Sequence, residues 1–278
     1  MSIHWYPGHM QKARRTIREH LRACDVVLEV LDARIPHTSR NPDLNLLLGR
    51  RPRVVVLNKA DLAEPAATRR WVEIINAGGH PAVPVRALDG SGVPSLVRQV
   101  RRVLDVSGSV AAGRMPRAMV VGIPNVGKSA LINALAGRRV VGTGRGPGTT
   151  RGKQWIRVGS YFELLDTPGI LWPRLGDAEV GYRLAAVGAI KEDVLPVREV
   201  ALWLIEWLRR HHPLSLETRY GTGDLPGAEM LQHIARRRGL LLPGGQLDED
   251  RAALAILKDF REGRLGLITL DLPDMPGE

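Results

Sequence analysis

Through the first 175 residues, short apolar runs alternate with stretches whose apolar residues recur at helical spacing. That alternation predicts a mostly parallel sheet covered by helices on both faces. Strands are expected at Val26–Leu31, Val54–Leu57, Ala82–Val85, Ala118–Gly122, Gln154–Val158 and Tyr161–Leu165. Helices are expected between them, at Gly8–Arg22, Pro65–Ala77, Val93–Leu104 and Gly127–Ala136; the second opens on a proline and is followed by a glycine pair. The small, polar stretch Ser107–Arg114 reads as a surface connector within this domain.

After Trp172 the strand pattern stops. Val180, Leu184 and Val187, then Val197, Ala201, Leu204 and Leu208, follow helical spacing, and further helices are expected at Ala228–Arg238 and Glu249–Glu262. The organisation expected is therefore an α/β domain over 1–175 with a basic N-terminal segment (1–22), an all-helical domain over 176–270, and a frayed tail over 271–278. No apolar stretch approaches the roughly 18 residues of a membrane span, because Glu206 splits the best candidate, Ala201–Leu208. The single cysteine, Cys24, excludes an internal disulfide framework and reads as a small buried hydrophobe.

Charge changes the picture further. Forty Lys and Arg against 29 Asp and Glu give a net charge of +11, which favours polyanionic partners. The excess lies wholly in residues 1–177; residues 178–278 carry slightly more acid than base.

The strongest local signal is Gly122-Ile123-Pro124-Asn125-Val126-Gly127-Lys128-Ser129, which follows an expected strand and opens an expected helix. Glycines at such a junction let the backbone wrap phosphates, the N–H groups of Val126, Gly127 and Ala130 and the helix start favour the anion, Lys128 reaches the outer phosphates, and Ser129 holds Mg²⁺. Downstream, Asp166-Thr167-Pro168-Gly169 ends a strand, with Asp166 placed to hold the metal through water and the Gly169 N–H to sense the terminal phosphate. Between them lies the Gly-rich, basic and acid-free segment Arg138–Lys153, where Thr150, or its neighbour Thr149, is the candidate magnesium threonine. Asn58-Lys59-Ala60-Asp61 follows an apolar run and reads the base: a carboxylate that accepts from guanine N1–H and its exocyclic amine cannot pair with adenine in the same way. Lys59 would lie along the base, Asn58 would brace the loop, and Arg86-Ala87 would supply a second backbone contact.

Ordinary GTPases place the phosphate loop first; here the guanine-reading motif precedes it. In that order, and over nearly its whole length, the chain resembles the circularly permuted GTPases of the RbgA/YlqF ribosome-assembly family. The resemblance is carried by Trp5-Tyr6-Pro7-Gly8-His9-Met10 with Lys12-Ala13-Arg14-Arg15, by Asp32-Ala33-Arg34-Ile35-Pro36 with Ser39-Arg40-Asn41-Pro42, and by the motifs above with Leu164–Pro173 around Asp166–Gly169. It continues in Asp259-Phe260-Arg261 and Gly263-Arg264-Leu265-Gly266.

The resemblance implies GTP and GDP as ligands with Mg²⁺, hydrolysis of GTP, and docking on the large ribosomal subunit and its RNA. Ile170 stands where many GTPases carry a water-orienting glutamine, and the resemblance points to His9 as its substitute, with Lys128 the other catalytic candidate. Asn125 resembles the asparagine with which potassium-stimulated GTPases hold K⁺. In the family the C-terminal helical domain contacts ribosomal RNA; because that part is slightly acidic here, more of the RNA affinity is expected from Lys12, Arg14, Arg15 and Arg18, from Arg98–Arg102 and from Arg145 and Arg151 than from Arg236, Arg237 and Arg238. The expectation is thus a cytoplasmic GTP-hydrolysing assembly factor, monomeric away from the ribosome and without a membrane partner. A GTP-dependent RNA-binding switch whose hydrolysis is incidental is the alternative, and the basic N-terminus leaves an organellar version open.

Overall fold

The computed structural model describes residues 18–49, 51–108, 114–142, 155–165, 177–190, 196–222 and 224–273. Two compact units emerge, one of residues 2–175 with 271–278, the other of 176–270.

Among its described residues the first unit is built on six strands: β1 (Val26–Asp32), β2 (Arg53–Asn58), β3 (Ala82–Val85), β4 (Arg117–Gly122), β5 (Trp155–Val158) and β6 (Phe162–Leu165). Their order is β3-β2-β1-β4-β6-β5, parallel except for the β5/β6 pair. Every residue of β1 and β2 is buried, as expected where helices cover both faces of a parallel sheet. The helices are α1 (Pro42–Leu48), α2 (Pro65–Ala77), α3 (Val93–Ser107) and α4 (Lys128–Ala136). Leu44 and Leu48 of α1 pack with Leu21, Cys24, Val27, Met119 and Val121, while Ile75 of α2 packs with Leu31, Val55 and Leu57. Leu96, Val100 and Leu104 form the buried stripe of α3, one residue per turn.

Some expectations shift. Helix α1 was not anticipated, and α3 runs past Leu104 to Ser107, where Gly108 caps it in the left-handed region, so the connector starts later. Tyr161 lies in the turn before β6, and Gln154 lies outside the described residues. Only residues 18–22 of the expected first helix are described; 18–21 are helical and Arg22 lies in the turn that follows. Cys24 is buried, and burial pushes its thiol up to about 11. Asp271, expected at the start of a frayed tail, is instead buried: its carboxylate accepts from the Thr38 backbone N–H (2.7 Å) and hydroxyl (2.8 Å), and its carbonyl accepts from the Trp71 indole (2.8 Å). Residues 274–278 lie outside the described residues.

The second unit is helical among its described residues: α5 (Ala178–Ala186), α6 (Val197–His211), α7 (Pro213–Tyr220), α8 (Gly227–Arg237) and α9 (Glu249–Arg261). Leu204, Ile205 and Leu208 of α6, Met230 and Ile234 of α8, and Ala253, Ile256 and Leu257 of α9 supply its core. Helix α9 begins at an Asp248 cap whose carboxylate accepts from the Arg251 N–H at 2.9 Å. The unexpected α7 opens on Pro213, the residue that ends α6's continuity. No helix among the described residues is long and apolar enough to cross a membrane.

Candidate nucleotide site

Parallel strands end at a common edge, and three loops of this chain meet there. Asp32 at the end of β1 is in register with Asn58 at the end of β2, Asn58 with Val85 at the end of β3, and Val30 with Gly122 at the end of β4. In open parallel sheets this edge is where ligands bind.

The loop from Gly122 to Gly127 runs straight from β4 into α4. Its geometry demands the residues found. A side chain on Gly122 would strike the Val30 carbonyl at 2.4 Å; one on Gly127, at φ +97°, would strike the Asn58 amide at 2.3 Å. Asn125 is exposed and left-handed (φ 57°), a conformation asparagine tolerates better than most residues. Val126 is buried, while Ser129 and Ala130 are half-buried in the first turn of α4. The Lys128 ammonium is buried inside the loop, donating to the carbonyls of Gly122 (3.2 Å) and Ile123 (2.9 Å).

Asn58 joins this loop to the two beside it. Its amide donates to the Val126 carbonyl at 2.8 Å, and its side-chain oxygen accepts from the Ala87 N–H at 3.1 Å. After it, Lys59 is left-handed and Ala60–Leu62 form one 3₁₀ turn that carries Asp61. Asp61 is half-buried and pairs with Arg86 at 3.3 Å; Arg86 also pairs with Asp89 at 3.2 Å. Thus Asn58, Lys59, Ala60, Asp61, Arg86, Ala87 and the residues 125–130 of the phosphate loop share one edge of the sheet.

His9, Lys12, Arg14, Arg15, Arg145, Thr149, Thr150, Arg151, Asp166, Gly169 and Ile170 lie outside the described residues. Arg18 is exposed in its helical turn, and Arg98, Arg101 and Arg102 are exposed on α3. In the helical unit Arg236, Arg237 and Arg238 are all exposed; Arg237 also donates to the Tyr220 carbonyl (2.6 Å) and Arg238 to Asp259 (2.5 Å).

Two polar constellations escaped sequence reasoning. The buried Asp32 accepts from Arg34 and Lys59. The equally buried Asp259 accepts from Arg219, Tyr220, Arg238 and Arg264. The motifs Asp32–Pro36, Asp259–Arg261 and Gly263–Gly266 pointed at both places, but the partners that come from far along the chain, Lys59, Arg219, Tyr220 and Arg238, leave no local periodicity.

A sheet edge carrying a lysine-bearing phosphate loop, braced by the first residue of an Asn-Lys-x-Asp loop, defines a P-loop guanine-nucleotide fold. The Asn-Lys-x-Asp loop precedes the phosphate loop, so the fold is circularly permuted. Residues 117–218 match the family model described as 50S ribosome-binding GTPase. The chain is 42% identical to ribosome biogenesis GTPase A of Bacillus cereus, across 100% of this chain and 96% of that protein. It is similar to two solved structures of YlqF from Thermotoga maritima, each 27% identical. The GDP-bound form gives a TM-score of 0.69, covering 94% of this chain and 100% of that one; the GNP-bound form gives 0.68, covering 95% and 99%. The chain belongs to the RbgA/YlqF family of circularly permuted ribosome biogenesis GTPases.

Proposed function

We propose that this GTPase hydrolyses GTP while docked on an immature large ribosomal subunit and leaves it after hydrolysis. The observation that carries the reading is Asn58, whose one side chain bonds both the phosphate loop and the Ala87 turn, assembling base and phosphate recognition at a single edge. Asp61 reads the guanine edge, Lys59 lies along the base, the N–H groups of Val126 to Ala130 cradle the phosphates, and Lys128 turns from the loop carbonyls to the outer phosphates.

Mg²⁺ fits the donors this chain offers. Ser129 stands in the first turn of α4 beside Lys128 and presents a hard oxygen; Thr150 and Asp166 add two more of the kind Mg²⁺ prefers. When bound, the ion neutralises charge on the β- and γ-phosphates. Asn125, exposed at the crest of the loop, is the candidate holder of K⁺. Because Ile170 has no group to orient water, His9 takes that role, and Gly169 senses the terminal phosphate.

The positive charge supports contact with ribosomal RNA, through Lys12, Arg14, Arg15, Arg18, Arg98–Arg102, Arg145 and Arg151 first and Arg236–Arg238 second. The helical residues 176–270 contact the same subunit. The protein acts in the cytoplasm, as a monomer when free of the ribosome. The test is GTP turnover with and without purified large subunits, in potassium and in sodium. Strong stimulation by subunits and a higher rate in potassium are expected; equal rates in all four conditions would overturn both the coupling and the cation site. His9→Ala should keep nucleotide affinity and lose most of the stimulated rate.

A further inference from the structure

The segment Asp32-Ala33-Arg34-Ile35-Pro36 has been given no role in nucleotide binding so far, yet it is wholly buried and starts against the guanine-reading loop. Asp32 closes β1 and lies in register with Asn58, so its side chain leaves the sheet next to Lys59. One carboxylate oxygen accepts from the Arg34 backbone N–H (3.1 Å) and Nε (2.9 Å); the other accepts from Arg34 Nη2 (2.8 Å) and Lys59 Nζ (2.9 Å).

Burial pushes the Asp32 carboxyl up, but Arg34 and then Lys59 more than reverse this and hold it well below the usual carboxylate range. The Arg34 fork by itself neutralises the carboxylate with two parallel bonds. Lys59 is a second cation on one of these oxygens, 23% exposed, on a left-handed backbone that costs a non-glycine residue roughly 1–2 kcal/mol. Charge balance does not require it. What the contact does is fix a long side chain that would otherwise sample many rotamers, each end now held: Cα by the loop, Nζ by Asp32.

The support behind Asp32 is firm. Its N–H donates to the Ser39 hydroxyl (3.1 Å), its carbonyl accepts from the Ile35 N–H (2.9 Å), and Thr38 is clamped by both Asp271 bonds described above. The carboxylate is thus a fixed post rather than a mobile counter-ion.

We propose that Asp32, oriented by Arg34, is a positioning residue for guanine-nucleotide binding: it holds the Lys59 ammonium so that the lysine stem forms a fixed apolar rail against the face of the base. The inference rests on the reading of Lys59 and Asp61 as the base site. Pre-ordering the rail removes an entropic cost from nucleotide binding and slows release.

The experiment measures release of a fluorescent GDP, with the thermal midpoint recorded in parallel, for the full chain carrying Lys59→Met, Asp32→Asn or both. Methionine keeps the apolar stem and loses the anchor. Each single variant should release GDP about tenfold faster, the effect of one lost charge-assisted bond, and the double variant no faster than the worse single. Multiplying losses in the double variant would overturn the proposal, since a merely structural Asp32 acts independently of Lys59. Unchanged release in Lys59→Met would overturn the base-site reading and the proposal with it. Faster release in Lys59→Met together with unchanged release in Asp32→Asn would overturn only the proposal. If Asp32→Asn does not fold, Arg34→Lys decides: its ammonium keeps the charge but not the two-bond fork that orients Asp32, so release should be faster than in the wild type, and unchanged release would overturn the proposal.

Discussion

The side-chain amide of Asn58 donates to the main-chain carbonyl of Val126 at 2.8 Å, across 68 residues of sequence. In this permuted chain the Asn58–Asp61 loop and the phosphate loop fold as separate strand ends, and this bond registers one against the other. Asn58→Ala removes it and leaves the Ala87 N–H without its acceptor, so a buried donor loses its partner. The expected cost is about 1–3 kcal/mol in stability, with GDP affinity falling at least as much. Chemical denaturation and nucleotide titration check both, and an unaltered affinity would show that the loops hold register without Asn58.

Gly127 sits at φ +97° with the Asn58 amide 2.3 Å from where a Cβ would stand. Gly127→Ala should therefore push Asn58 out of its bonds and abolish detectable nucleotide binding while the helical unit stays folded. Gly137, at φ +66° after α4 with open space around it, is the control: alanine there is strained by backbone alone and should cost about 1 kcal/mol with nucleotide binding retained. Equal effects at the two glycines would contradict the close-approach argument.

Asp61→Asn should weaken GTP binding sharply and relax discrimination against xanthosine triphosphate, whose added oxygen an amide N–H satisfies. Arg86 pairs with this carboxylate in the present structure, so Arg86→Ala is expected to lower GTP affinity mildly and leave base preference in place. Competitive titration of the two nucleotides reads both, and unchanged GTP affinity in Asp61→Asn would remove that residue from base reading.

Much of this molecule is legible in its sequence because its signals are local. The six described strands appear as apolar or alternating runs bounded by turn residues, and the phosphate loop announces itself through glycine spacing. What escaped was short or non-local. Helix α1 has only seven residues, too few for periodicity to declare it, and α7 hides behind the break at His212-Pro213. Asp271 read as a tail because nothing in its neighbours signals a partner at Thr38. The carboxylates Asp32 and Asp259 belonged to motifs whose residues were visible, but their roles depend on which cations folding brings to them.

Binding to ribosomal RNA should weaken steeply with salt, since each neutralised phosphate contributes a slope of roughly −0.7 to −0.9 in log–log form. Arg14, Arg15 and Arg18 substituted together should flatten that slope more than Arg236, Arg237 and Arg238. The structure supplies a reason: Arg238 is already paired with Asp259, and Arg237 is tied to a main-chain carbonyl, so only Arg236 of the three has no such bond among those described. The opposite ranking, measured by filter binding over a salt series, would place the main RNA surface on the helical unit.

The last prediction concerns acid and the helical unit. Asp259 is fully buried; burial pushes its carboxyl up, but bonds from Arg219 and Tyr220, with Arg238 and Arg264 close by, outweigh this and hold it below the ordinary value. A carboxyl with a lower pKa in the folded state binds fewer protons there than in the unfolded chain. Its stabilisation is therefore complete above the unfolded pKa, about 3.9, and disappears as pH falls through the folded value. Asp32 is shifted in the same direction, so both units should lose stability over that acidic window. Asp259→Ala should destabilise the helical unit by about 1–3 kcal/mol at neutral pH, because the buried Tyr220 hydroxyl loses its acceptor while the part-exposed guanidinium groups round it remain solvated. Asp259→Asn keeps an acceptor and should cost less, while flattening the acid dependence of this unit's unfolding. Hydrogen exchange resolves the two units separately, and an unflattened acid dependence in the α6–α9 amides of Asp259→Asn would show that the carboxylate is not what couples this bundle to pH.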